Sequence, residues 1–220
     1  MARLVFSKTG NAVWISHLDL MRVFQRAFRR AGMLLKHSQG FTPHPCLSMA
    51  MPLSVGVSSR CELLDFELAE EDKTPLEQIP ALLNDALPEG IAVTRCLCAG
   101  RKLRELKWLE ARLTLEYDHG VPQGAAGRIS ALLTGASLVV EKHGKNGPTQ
   151  VDIAPMLHGV EVSGEQAGVL HLDAVVSAQN PTLNPLLLLT AVERYLPQDA
   201  PDFASCCRMN VYDEGMQPFC

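Results

Sequence analysis

The order of the predicted elements favours an α+β fold made of tandem ferredoxin-like (βαββαβ) units with antiparallel sheets. In the first half, four runs with strand-like alternation are interrupted by two helical segments, in the order βαββαβ over about 98 residues. The second half approximates this order, with additional strands between its two helices. The sequence therefore predicts a first unit over residues 1–99, a connector at 100–107 and a second unit over 108–220.

The helix at 17–31 has the clearest signal in the first unit. Ser16 is a good N-cap, Asp19 follows it by three residues, and Gly32 can end the helix in a left-handed conformation. Apolar residues recur at helical spacing and predict a buried stripe: Leu20, Phe24, Ala27, Phe28 and Ala31. The other predicted elements are strands at 2–7, 46–57, 61–69 and 91–98 and a helix at 76–86.

The second unit has weaker signals. A glycine-rich basic loop, KHGKNGPT at 142–149, separates two of its strands. Asn184 and Pro185 together predict a helix start. The predicted elements are strands at 110–117, 137–142, 151–157, 160–163, 169–177 and 208–212 and helices at 123–134 and 184–196.

Charge is unevenly distributed along the chain. The protein has 220 residues and a net charge of −4, but residues 1–60 contain eight basic residues against one acidic residue and carry +7. The remaining 160 residues carry −11. An excess of positive charge in one segment of an acidic protein favours a surface that binds anions.

The seven cysteines show neither a metal-site spacing nor a simple disulfide framework. Cys96-x-Cys98 and the adjacent Cys206 and Cys207 lack the paired C-x2-C spacing of a zinc ribbon. The C-x3-C-x2-C run of a radical S-adenosylmethionine (SAM) cluster is also missing from the sequence. We therefore expect no metal and no cofactor. The sequence has no signal peptide and no apolar run of membrane-spanning length, which predicts a cytoplasmic protein with reduced cysteines and no membrane partner.

A basic stripe runs along the first helix. Its four arginines recur at i, i+4, i+7 and i+8, and like charges at such spacing cost a few tenths of a kcal/mol per pair. An anionic partner would offset this repulsion, whereas a solvated charged face is the alternative interpretation. The stripe consists of Arg22, Arg26, Arg29 and Arg30, with Lys8 and Lys36 at its ends.

The loop after the helix, HSQGFTPHP at 37–45, combines polar groups with one aromatic ring. Such a combination on a constrained loop suits recognition of an unstacked base. A core position for Phe41 is the alternative interpretation. The candidate nucleic-acid-binding residues are the basic stripe with Lys8 and Lys36, together with His37, Gln39, Phe41 and His44.

A resemblance to a known family rests on three segments: FSKTGNAVWISHLDLMRVFQRAFRRAGM, HSQGFTPHPCLSMAMPLSVGVSS and ELLDFEL. Together they resemble the N-terminal signature of the radical-SAM-linked protein family, a domain of unknown function. TQVDIAP at 149–155 is similar to its second marker, although Ala154 stands where we expect an arginine. The resemblance implies a separately encoded radical SAM enzyme as partner and a genomic setting of RNA processing, with no established activity.

Three functions stay open at this point. The favoured one is a non-catalytic, RNA-binding accessory protein that presents RNA to the radical SAM partner. The second is a protein–protein adaptor for that enzyme without RNA. The third is a metal-independent ribonuclease in which His17 or His44 acts as general base. For His17, this hypothesis rests on a fold-level analogy with CRISPR RNA-processing endonucleases.

Overall fold

The computed structural model describes residues 1–144, 147–166 and 168–219 and shows a mixed α+β protein dominated by antiparallel strands. The chain divides into two compact units, Met1–Glu105 and Leu106–Phe219. We call them unit 1 and unit 2. Among the described helices, the longest has 14 residues, and none combines the length and apolarity needed to cross a lipid bilayer.

Unit 1 is built on one antiparallel sheet. Its strands are β1 (Ala2–Lys8), β2 (Leu47–Met49), β3 (Ser58–Phe66) and β4 (Ile91–Cys98), and its helices are α1 (His17–Arg30) and α2 (Ile79–Asn84). Within this unit the spatial order is β4–β1–β3–β2, with every neighbouring pair antiparallel. β1 and β3 are therefore central, and β2 and β4 flank them.

The core of unit 1 lies between the sheet and both helices. The Phe6 ring packs edge-on against Phe24 with centroids 4.7 Å apart, and Phe28 lies 4.9 Å from Phe66. Because α2 contributes Ile79 to the same cluster, both helices lie on one face of the sheet. The predicted apolar stripe of α1 is confirmed at Leu20, Phe24, Ala27 and Phe28, which are all buried.

The ends of α1 follow the sequence signals. The Ser16 hydroxyl accepts a hydrogen bond from the Asp19 backbone N–H at 3.2 Å, which satisfies one of the unpaired donors of the first turn. Gly32 has φ +75°, a left-handed conformation that glycine adopts at little cost. The helix therefore starts and stops where the caps predict.

The strand predicted at 46–57 is wrong beyond its first residues. Only Leu47–Met49 pairs with β3, because Met51 has a positive φ of 42° and Pro52 has no N–H to donate to a neighbouring strand. The chain then loops to β3, which begins at Ser58, three residues before the predicted start. The predicted helix at 76–86 is also shorter and begins at Ile79.

Unit 2 contributes four antiparallel sheet strands and contains a separate hairpin. The sheet strands are β5 (Trp108–Glu116), β8 (Leu157–Gln166), β9 (Val169–Ser177) and β10 (Phe203–Tyr212); the hairpin strands are β6 (Val139–Gly144) and β7 (Gly147–Asp152); the helices are α3 (Ala125–Leu133) and α4 (Leu186–Tyr195). The sheet order is β10–β5–β9–β8. The predicted basic loop at 142–149 is mostly absorbed into β6 and β7, and residues 145–146 lie outside the described part.

A buried carboxylate links α3 to the turn after α4. Asp199 is fully buried, and its two oxygens accept bonds from Arg128 Nε at 2.7 Å and Nη2 at 2.6 Å. The Tyr117 hydroxyl donates to the Asp199 carbonyl at 2.9 Å. The Arg128 hydrogen bonds hold the pKa of the Asp199 carboxyl below its usual value. This cluster connects three segments of unit 2 that are distant in sequence.

The cysteines differ from one another in state. Burial raises the pKa of the Cys96 thiol to about 11 and that of Cys206 to about 12, so both stay protonated near neutral pH. Cys61 is disulfide-bonded, so the expectation of reduced cysteines does not hold there. Among the cysteines in the described ranges, the free thiols are Cys46, Cys96, Cys98, Cys206 and Cys207.

Candidate functional site

A groove with two arginines on its wall runs beside the C-terminal half of α1. It encloses about 350 Å³ and is lined by Arg26 and Arg29 on one side and by His37 and Pro45 on the other. Both guanidinium groups are exposed, and neither has an ion-pair partner within the described part of the chain. We call this the basic groove; the apolar side chains of Phe28, Met33, Leu34 and Leu35 also line it.

The other cations of the basic stripe already have partners inside unit 1. Arg22 Nη1 donates to Asp19 Oδ1 at 2.9 Å, in an ion pair with both side chains more than half exposed. The Arg30 guanidinium donates to the Ala86 carbonyl. Exposed ion pairs are weak, so Arg22 can exchange Asp19 for a phosphate at little cost.

Lys36 lies at the far end of the stripe. Its ammonium donates to Glu67 at 2.9 Å, and that hydrogen bond raises the pKa of Lys36 and lowers the pKa of Glu67. Because the pair is exposed, it is another weak contact that solvent and salt screen. Of the cations in the basic stripe, Arg26 and Arg29 are therefore the most available to bind an anion.

Lys8 does not lie on an accessible surface. Only 1% of the residue is exposed, and its ammonium donates to the Val13 carbonyl at 3.2 Å and the Ile15 carbonyl at 2.8 Å. Burial lowers the pKa of Lys8, although the charge of Glu62 opposes this shift. Lys8 thus anchors the 3-10 helix Gly10–Trp14 to the sheet, and we leave it out of the anion-binding surface.

The loop at 37–45 is a short, anchored projection. An isolated β-bridge joins His37 to Pro45, and the Ser38 N–H donates to the His44 carbonyl at 2.8 Å. The Ser38 hydroxyl also accepts from the His44 N–H at 3.1 Å and lies 2.9 Å from its Nδ1. These bonds close the stem of the loop. The residues at its tip are exposed, Gln39 among them.

Phe41 stands at that tip with its ring in solvent. Its relative exposure is 108%, so the alternative in which it plugs the core is wrong. An exposed aromatic ring on an anchored loop gains nothing from folding and is open to stacking by a planar ligand. Phe41 is therefore the one aromatic group of the predicted site that the fold leaves fully available.

His17 and His44, the two candidate general bases, differ in their surroundings. His17 lies in the first turn of α1 with a buried Nδ1 that has no hydrogen-bond partner among the described atoms, and the His44 ring bonds within its own loop. No group of three or more His, Cys, Asp or Glu residues within the described ranges could hold a metal ion. The His44 ring lies beside one hydroxyl, that of Ser38, but its described hydrogen-bond partners include no acid that would orient the ring as a general base.

A second cavity on unit 1 has no counterpart in the sequence-based predictions. It encloses about 550 Å³ between β2 and the segment at 99–103, and Leu47, Phe66 and Leu103 form much of its wall. Its lining comes from Met1 and from the stretches 44–48, 65–67 and 99–103, and no periodicity marks them. The pairing of β2 with β3 brings the first two stretches together, and the pairing of β1 with β4 brings Met1 beside the last.

The second marker, TQVDIAP, has a structural role in unit 2. Asp152 accepts hydrogen bonds from the Leu138 N–H and the Ser137 hydroxyl, each at 2.8 Å, and from the Ala154 N–H at 3.1 Å. The bond from Leu138 is the main cause of the lowered pKa of Asp152. This carboxylate fixes the end of the β6–β7 hairpin, and buried Ile153 anchors it.

These features define a mixed α+β protein with an exposed basic groove beside a loop that carries a solvent-exposed ring. Residues 2–185 match the model of a family described as an uncharacterized protein conserved in bacteria (DUF2344), and the chain belongs to that family. No curated protein matches the chain.

Proposed function

We propose that the protein is an RNA-binding accessory protein that presents single-stranded RNA to a radical SAM partner enzyme. The observation that carries the proposal is the basic groove, in which Arg26 and Arg29 lie beside the anchored loop that exposes Phe41. Arginines bind phosphate through paired N–H donors and position the strand without reading its sequence. An exposed ring adds stacking on any base.

Single-stranded RNA fits this surface better than a duplex. Bases stacked within a helix cannot reach a ring at a loop tip, whereas unpaired bases can be splayed onto it. The groove is also flanked by polar groups with hydrogen-bonding capacity, His37 from the loop and Gln25 from α1. Such groups can contact the sugar, the phosphate or a base edge.

The strand orders support a finer architecture, in which both units are ferredoxin-like. Unit 1 has the order β4–β1–β3–β2, and unit 2 has β10–β5–β9–β8. If β5, β8, β9 and β10 stand for strands one to four of a βαββαβ unit, the two orders are the same. The hairpin β6–β7 is then an insertion after the first helix of unit 2.

The radical SAM partner rests on the resemblance of the N-terminal segments. The chain offers no cluster ligands of its own in its sequence spacing, so in this proposal the redox chemistry belongs to the partner. The role of this chain is then to bind and orient the RNA. Fold alone does not assign that role.

RNA binding across a salt series tests the proposal. Each phosphate contact with a single strand contributes about −0.7 to the log–log slope of affinity against salt, so Arg26→Ala/Arg29→Ala is expected to make the slope shallower by about 1.4. Because the two side chains are exposed, the melting temperature is expected to stay nearly unchanged.

The matched control removes the same charge from the same unit. Arg60 and Arg95 are exposed and do not line the groove. For Arg60→Ala/Arg95→Ala we therefore expect the salt slope to differ from the wild-type slope by less than about half the contribution of one phosphate contact. Equal salt slopes for the two double variants would mean that net charge alone explains the change, and would contradict phosphate binding in the basic groove. An absence of RNA binding by the wild-type protein at low salt would reject the proposal outright.

An adaptor function without RNA is favoured by one observation. Trp14 is 69% exposed and Leu18 is 68% exposed, and large apolar side chains in solvent are typical of protein-binding surfaces. Tight binding to the radical SAM enzyme that is lost in Trp14→Ala/Leu18→Ala, together with no RNA binding by the wild type, would select the adaptor. Under our proposal the same variant keeps its RNA affinity.

A further inference from the structure

The cavity between β2 and the segment at 99–103 has the size and lining of a ligand site. Its volume of about 550 Å³ falls within the range of about 300–1,000 Å³ that is usual for small-molecule sites. Phe66 is buried beneath it, and the half-buried Leu47 and Leu103 contribute apolar surface. Polar groups at its edge come from His44 and Ser48. Apolar walls with a few polar groups suit a flat, partly polar ligand.

The cavity is adjacent to the basic groove, and Pro45 lines both. The stem of the loop, closed by the bridge between His37 and Pro45, stands between them: His37 faces the groove, and His44 faces the cavity. A strand whose phosphates lie along the groove therefore passes directly beside the cavity opening. Pro45, in the stem of the loop, is shared by the walls of the groove and the cavity.

The polar linings of the two sites differ. The cavity is lined by two carboxylates, Asp65 and Glu67, and by two cations, Arg101 and Lys102, whereas the described groove lining contains no acid. Asp65 is held by Arg3 through bonds of 2.6 Å and 2.9 Å, and Glu67 pairs with Lys36. Carboxylates repel a phosphate but accept hydrogen bonds from N–H groups. Because the lining offers both acceptors and donors beside apolar walls, it fits a nucleobase, which has a flat apolar face and an edge with both kinds of group.

We propose that this cavity is a base pocket, which takes one unstacked nucleobase of the RNA strand whose phosphates Arg26 and Arg29 bind. The inference rests on the proposed function, and it specifies the substrate class as single-stranded RNA with one extruded base. Phe41 stacks on a neighbouring base outside the pocket. The pocket thus fixes the position of one nucleotide along the strand, which phosphate contacts alone do not do.

Filling the pocket tests the inference. Ser48 is exposed on β2 at the edge of the cavity, and Ser48→Trp places a large ring there. A β-carbon added at Gly100 would meet no other heavy atom within 4 Å, so the backbone there has room for a side chain, and Gly100→Trp is the second filling variant. Ser54→Trp, at an exposed serine of the same unit that does not line the cavity, is the matched control.

The expected result is a loss of affinity for single-stranded RNA of about 5- to 150-fold in both filled variants, which corresponds to one lost base-stacking contact. The salt slope stays at the wild-type value, because no phosphate contact is removed. An oligonucleotide with a single abasic site, moved along the sequence, is expected to bind the wild type more weakly at one position. The filled variants lose that positional difference.

Two outcomes separate failure of the pocket from failure of RNA binding. If the filled variants bind RNA like wild type while Arg26→Ala/Arg29→Ala changes the salt slope, the pocket is wrong and the proposed function stands. Saturation-transfer NMR with free guanosine and adenosine covers the second case. Nucleoside binding that is lost in Ser48→Trp upholds the pocket even without RNA binding, and no binding by the wild-type protein overturns it.

Discussion

A phenylalanine with its ring fully in solvent contributes almost nothing to folding, because its hydration is similar in the folded and unfolded chain. We therefore expect Phe41→Ala to change the free energy of unfolding by less than about 0.5 kcal/mol. If Phe41 stacks on a base, the same change weakens RNA binding by about 1–3 kcal/mol with the salt slope unaltered. Urea denaturation and RNA titration of the same preparation measure both quantities.

Phe24→Ala is the contrasting control for that prediction. Phe24 is fully buried against Phe6, so its loss is expected to cost about 3–5 kcal/mol of stability. A Phe41→Ala protein that loses comparable stability would contradict the exposed position. Unchanged RNA affinity would remove Phe41 from the binding surface.

At single positions, the sequence predicted whether a charged side chain is exposed on a helix but not at the end of a strand. The spacing of Arg26 and Arg29 on α1 placed them correctly on the exposed face, because helical periodicity alone decides it. Lys8 is the last residue of β1 instead, and its ammonium is buried because it donates to the Val13 and Ile15 carbonyls. No local pattern in the sequence marks such a nonlocal contact.

Among the elements, α1 is the one whose limits depend most on its caps. Ser16→Ala removes the hydroxyl that accepts from the Asp19 N–H, and we expect it to cost about 1 kcal/mol of stability. Chemical denaturation measures the change. Ser54→Ala, at an exposed serine outside regular structure, is expected to cost less than half as much. Equal losses would mean that the cap does not stabilise the helix.

Unit 2 carries a pH-sensitive link between elements at Asp199. The hydrogen bonds from Arg128 lower the folded-state pKa of this carboxyl, so its contribution to stability is fully present above the unfolded-state pKa of about 3.9. That contribution is lost as pH falls through the folded-state value. Since Arg128 is 42% exposed, we expect Asp199→Asn to cost about 1–2 kcal/mol at pH 7.

The variant should also have a flatter stability curve on the acid side. Unfolding free energies of wild type and Asp199→Asn, measured from pH 7 down to about pH 3, are expected to converge as the wild-type carboxylate becomes protonated. Asp118→Asn, at an exposed carboxylate of the same unit, is the control and should change neither quantity. If the difference in unfolding free energy between the two proteins were the same at every pH, the lost stability would come from packing and not from the charge of Asp199.

Element boundaries were predictable where a local signal sets them. β4 and β9 have the predicted limits, because alternation and flanking loops define both strands. β2 is far shorter than its apolar run, since proline and a positive φ stop pairing inside that run. The extension of β6 and β7 through the glycine-rich loop depends on pairing between the two strands, which composition does not reveal.

For the whole molecule, the element order was visible in the sequence because every strand and helix contributes its own periodicity. The cavity beside β2 was not, since its walls come from segments that only the sheet brings together. The basic groove lies between these cases: its arginines were predictable from α1, but its second wall required the position of the loop at 37–45.

Charge separation between the units leads to a last prediction. Residues 106–219 contain seven basic and thirteen acidic residues and carry −6, which repels a phosphate backbone, whereas residues 1–105 carry +2. We therefore expect ultraviolet cross-linking of single-stranded RNA to the full chain to yield adducts in unit 1, concentrated in the loop at 37–45. Peptide mass spectrometry of the digested complex locates them. In Arg26→Ala/Arg29→Ala these adducts should decrease at moderate salt, while Arg60→Ala/Arg95→Ala should retain them. Adducts concentrated in unit 2 would place the RNA on the acidic unit and contradict the assignment of binding to the basic groove.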